Sequence, residues 1–220
     1  MTVAAFKQPD RQLGVLVSAL LLISLAGFVG QVYGVIDMTF VISFFALPAT
    51  VVVVGIGMWA RGSPHQLFYK RLLLGLGIGA VATAAYDGIR GLQQTVLPLG
   101  FNAFANHPRF GEMITDRPYT ETIAIVTGWA YHISNGLTFA LCYVLVLGKQ
   151  RWYWGIAWGL LLEAMMIVMY PTAFGVSRGN EAFLAVSVTG HTCYGAVIGV
   201  LNERFNRDES EFRAAYGVRP

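Results

Sequence analysis

His132, Glu163 and His191 are the residues best equipped for chemistry in this chain, because each interrupts a stretch that otherwise reads as lipid-soluble. Two neutral imidazoles and one carboxylate are the donor set of a catalytic zinc site, which keeps a further position open for water or substrate. The same set with open positions also suits non-haem iron. With apolar stretches starting near Thr122, Trp152 and Ala182 and a rise of ~1.5 Å per residue, each side chain lies roughly 13–17 Å from its own helix start. That is near the middle of a ~30 Å hydrocarbon layer. A charged residue at that depth costs about 2.5–3.5 kcal/mol, so such a group faces protein or a water-filled cavity and has a partner. The expectation is one intramembrane site in which His132, Glu163 and His191 hold a divalent metal, zinc or iron.

Other polar residues fall where they could serve that site. His132 and Asn135 share one helical face, and Gly128, four residues before His132, leaves a gap where another helix can approach. His191 and Tyr194 share a face in the same way. Asp87 and Arg90 stand three apart, spaced for an internal ion pair; alternatively, Asp87 joins the polar site or orients a histidine. Glu163, Asp87 and Tyr194 are thus the candidate catalytic groups, and Asn135 and Arg90 the candidates for binding a cofactor or substrate. No HExxH or HxxxH places two ligands on one helix, so the site depends on shared depth across separate segments. The three glycines Gly75, Gly77 and Gly79 lack the preceding strand of a dinucleotide loop. None of Lys7, Lys70 and Lys149 sits mid-span, which excludes a retinal Schiff base.

Two other classes of function fit the same residues. His132 and His191 could be the axial ligands of a b-type haem, although a carboxyl at the same height is awkward beside a haem edge. Alternatively, the buried polar groups are interhelical ties worth only ~0.6 kcal/mol each, and the chain is an accessory subunit that holds larger membrane partners.

The elements that must position these groups follow from composition. Of 220 residues, 55% are hydrophobic and 12% charged, about half the charged share of a soluble domain. The apolar residues fall into spans at about 13–35, 38–60, 69–94, 122–147, 152–174 and 182–202, which predicts an all-α, six-helix transmembrane bundle in one unit. Asp37 is placed to cap the second span, Pro48 to kink it, and Gly75 with Gly79 to form a small packing face on the third. The one long connection, 97–119, contains Phe101, Phe104 and Phe110 and is expected to pack over the bundle mouth as a lid. His107 within it could reach inward as another ligand but reads first as an exposed loop histidine, and His65 reads as a solvated one.

Basic residues alternate between sides. Lys7, Arg11, Arg61, Lys70, Arg71, Lys149, Arg151, Arg204, Arg207, Arg213 and Arg219 share one side, against Arg109, Arg117 and Arg178 in the loops of the other, with Arg90 at a helix end there. The positive-inside rule puts both termini in the cytoplasm and the protein in the inner membrane. The net charge of +3 is therefore a topology signal and gives no basic patch suited to nucleic acid. Cys142 and Cys193 lie at different depths, which predicts free thiols. Membrane lipids and a lipid-soluble small molecule are the expected partners.

Overall fold

A computed structural model describes residues 9–175, 177 and 180–207. Among them are six helices long and apolar enough to cross a membrane: α1 (Asp10–Val32), α2 (Met38–Arg61), α3 (Gln66–Val96), α5 (Thr122–Leu147), α6 (Trp152–Phe174) and α7 (Glu181–Phe205). A shorter helix, α4 (Asn106–Thr115), lies inside the long connection between α3 and α5. The spans agree with those read from hydropathy to within a few residues. The apolar sides that face away from the bundle carry Phe44, Val51, Val81 and Val126, all exposed. Such surface is stable only against hydrocarbon or another protein, and the chain is read as a multi-pass membrane protein. Of the residues used to orient it, Lys7, Arg178, Arg213 and Arg219 lie outside the described residues.

Local chemistry explains the irregular points. The Asp37 carboxylate accepts from the Phe40 amide at 2.8 Å and caps α2 as expected. The turn before Pro48 is a π-helical segment over Ile42–Ala46, so the strain of the proline is absorbed by a widened turn. A second π-helical segment, Tyr143–Leu147, ends α5.

The core forms three clusters. The central one joins α3, α5, α6 and α7 through Ile78, Ala82, Tyr143, Leu162 and Ile198. At the end where α1 begins, Val17, Val53, Phe68 and Leu141 pack together. At the opposite end Phe28, Phe110, Met169 and Phe174 do so, which ties α4 into the bundle. The face of Gly75 and Gly79 meets Leu141, Leu137 and Ala140 of α5, the close packing their spacing predicts.

A close crossing joins α6 to α7. A Cβ on Gly155 would overlap the Gly195 carbonyl, and one on Gly199 would overlap the Trp152 carbonyl. This approach brings Glu163 of α6 against α7. The α6 start is held further by the Trp152 amide, which donates to Glu203 at 2.9 Å. His65 departs from expectation: its ring contacts the Asp10 carboxylate at 2.6 Å, linking the start of α3 to α1. Cys142 and Cys193 are both free.

Gly199→Leu should destabilise the detergent-solubilised protein by about 1–3 kcal/mol through overpacking. Gly77→Ala, at a position with nothing near its would-be Cβ, should be neutral or slightly stabilising. Thermal unfolding of the two variants beside the wild type checks this contrast.

Candidate functional site

His132 of α5 and Asp87 of α3 meet where the two helices pack. The His132 Nε2 atom lies 3.0 and 3.2 Å from the two Asp87 carboxylate oxygens. The second reading of Asp87, as the orienting partner of a histidine, is therefore what the structure shows. Arg90, the partner its spacing suggested, turns elsewhere. Its guanidinium donates to the Ala103 carbonyl and lies over the rings of Tyr86 and Phe104, at 4.9 and 5.4 Å from their centroids. Gln94, one turn on, accepts from the Ala103 amide at 2.6 Å. Both backbone groups of Ala103 are thus held by α3, and this fixes the chain just before α4.

From that anchor α4 descends onto α5. A Cβ on Gly128 would overlap the His107 carbonyl, and one on Gly111 would overlap the Ala124 carbonyl, so the two helices approach backbone to backbone. Gly128 does mark a gap for another helix, and that helix is α4. His107 is consequently 3% exposed, which corrects the expectation of an exposed loop histidine. Its ring stacks on His132 with centroids 4.0 Å apart and planes at 20°, and packs edge-on against Trp129. Burial pushes His107 down to about 2, with the neighbouring His132 and Arg90 acting in the same direction. The ring is neutral at physiological pH, the form in which imidazole ligates metals. Its Nδ1 is buried and meets no hydrogen-bond partner among the described residues. Ligand atoms of Asp87, His107 and His132 all lie within 4.8 Å of one another, so this group could hold a metal ion.

Glu163 and His191 belong to a second cluster. Glu163 is 2% exposed. Its Oε2 lies 2.8 Å from His191 Nδ1 and accepts from Ser187 Oγ at 2.8 Å. The Tyr170 hydroxyl contacts Ser187 Oγ at 2.9 Å and Glu163 Oε2 at 3.5 Å. His191 Nδ1 also faces the Ser187 carbonyl at 3.1 Å. An imidazole nitrogen between two acceptors carries the proton.

The expected triad is therefore divided. His132 sits with Asp87 and His107, whereas Glu163 and His191 pair with each other. The ring of Tyr86 packs against both imidazoles, 5.7 Å from His132 and 5.0 Å from His191 between centroids. Tyr86 reaches α7 because Gly190 has no side chain to meet it.

Both clusters border one partly open cavity of about 100 Å³. His107, His132 and His191 line it, and its body is apolar, with Phe28, Phe139, Leu162, Met166 and Met169. Asn135, Arg90 and Tyr194 line it too. The Tyr194 hydroxyl donates to the Gly136 carbonyl, so its proton is engaged by backbone. Sequence reasoning ranked His107 as an inward-reaching ligand below an exposed loop histidine and gave Tyr86 no role; the signal for His107 was the pairing of Gly111 in the loop with Gly128 in the span. No family model matches the chain, and no curated protein or solved structure matches it.

Arg90→Met should release Ala103 at a cost of about 2 kcal/mol, since a charge-assisted hydrogen bond is lost inside the protein. Limited trypsin digestion checks it: cleavage after Arg109 in α4 should be much faster in the variant than in the wild type.

Proposed function

We propose that this is a multi-pass protein of the cytoplasmic membrane, with both termini inside, that binds a divalent metal and acts on a lipid-soluble molecule. The ligands assigned are Asp87, His107 and His132. The observation that carries the reading is the convergence of these three side chains from α3, α4 and α5, with ligand atoms within 4.8 Å of one another.

The donor set fits zinc or iron. Ligands at ~2.0–2.1 Å in a tetrahedron stand roughly 3.4 Å apart. The Asp87 and His132 atoms, at 3.0 and 3.2 Å, are already close to that spacing. His107 brings a neutral ring and a buried nitrogen without a hydrogen-bond partner. Binding would replace the proton now shared by His132 and Asp87, so uptake of the ion releases a proton. A divalent cation there supplies Lewis acidity and makes water a better nucleophile near neutral pH. The chain's own residues do the rest. Arg90 and Gln94 hold the loop that delivers His107, the His107 ring stacks on His132, and the apolar wall admits a hydrophobic molecule. Haem between His132 and His191 is disfavoured by the Tyr86 ring, which packs against both imidazoles.

The orientation rests on charge. Arg61, Lys70, Arg71, Lys149 and Arg151 flank the turns at one end of the bundle, with Arg204 at the close of α7. This is the arrangement of a cytoplasmic face.

Elemental analysis of protein purified under gentle conditions should find close to one zinc or iron per chain. His107→Ala and His132→Ala should each lower that content roughly tenfold or more, whereas His191→Ala should leave it near the wild-type level. Equal metal content in wild type and a His107→Ala, His132→Ala double variant would sink the reading. The two clusters would then be interhelical ties, as in an accessory subunit.

A further inference from the structure

The cavity has a second polar end that the metal reading leaves unused. Glu163 is buried in α6, takes hydrogen bonds on Oε2 from Ser187 and His191, and leaves Oε1 buried without a partner. It fixes the His191 ring with Nδ1 as the donor, the role that a buried acid plays for a catalytic imidazole. The other ring nitrogen, Nε2, has no protein partner among the described residues, and His191 lines the cavity. In the neutral ring that atom is a hydrogen-bond acceptor. The apolar wall of the cavity is Leu162, Met166, Met169 and Phe139, and its lining also includes Arg90, which is engaged by the Ala103 carbonyl. Burying an unpaired charge against such a wall costs far more than burying a neutral hydroxyl with an acceptor in reach.

We propose that the Glu163–His191 pair is a recognition point for the hydroxyl of a neutral, lipid-soluble phenol or alcohol, whose O–H donates to His191 Nε2. The apolar body of the molecule then lies along the methionine side of the cavity. This deepens the functional reading above by naming the substrate class, but it uses none of the proposed metal ligands.

The probes are para-hexylphenol and its methyl ether, which matches it in shape and lacks the donor. Isothermal titration in maltoside micelles, with protein-free micelles as the blank, should show the wild type binding the phenol about tenfold more tightly than the ether. His191→Phe should reduce that ratio to about one while leaving metal content unchanged. His107→Ala should lose the metal and keep the ratio. Equal binding of phenol and ether by the wild type overturns the proposal, and this comparison needs no variant to fold. A ratio that survives His191→Phe and vanishes in His107→Ala also overturns it, because the hydroxyl would then sit on the metal ligands. A wild type free of metal that still prefers the phenol supports the dyad and overturns only the metal reading.

Discussion

Backbone meets backbone where α4 lies on α5, and the arrangement of the candidate centre depends on that contact. Gly111 and Gly128 are the positions at which any side chain would collide with the opposing carbonyl. Small residues are how helices gain packing energy where solvent supplies little hydrophobic drive. The contact also sets geometry, because it lowers the first turn of α4 far enough for His107 to stack on His132. The Ala103 clamp, built from Arg90 and Gln94, limits where α4 can begin. A loop segment thereby acts with the precision of a span.

A second constraint governs the polar groups. A carboxyl inside an apolar bundle must find donors, and the nearest good donor is an imidazole. Two acids and three imidazoles therefore sort into two local groups: Asp87 takes His132, and Glu163 takes His191 with help from Ser187 and Tyr170. Tyr86 packs against both His132 and His191, with Gly190 making room for it. The result is a cavity with two acid-oriented histidines and an apolar body, a form suited to a molecule that is greasy along most of its length and polar in few places.

Much of this was legible beforehand. The helices, the cap at Asp37, the small face of Gly75 and Gly79 and the gap at Gly128 follow from hydropathy, capping chemistry and residue size, all of which act over a few neighbouring positions. Shared depth marked His132, Glu163 and His191 as polar groups facing protein, and the structure buries Glu163 and half-buries the two histidines. It could not say which would meet. Depth is one coordinate, and the direction a residue faces around its helix axis is another that depends on both surfaces in contact. His107 was misjudged for the same reason, since a histidine in a long connection between spans is ordinarily solvated.

The amino-acid sequence by itself thus determined the number, length and order of the apolar helices and the short list of residues able to do chemistry. Those properties are sums along the chain, and hydrocarbon or protein surroundings read them directly. Only the tertiary structure decided that Asp87 belongs to His132, that Glu163 belongs to His191, and that α4 carries a third imidazole into the bundle. Partner choice is set by interhelical distances of a few ångströms, and these come from how side chains more than twenty residues apart fill the space between helices.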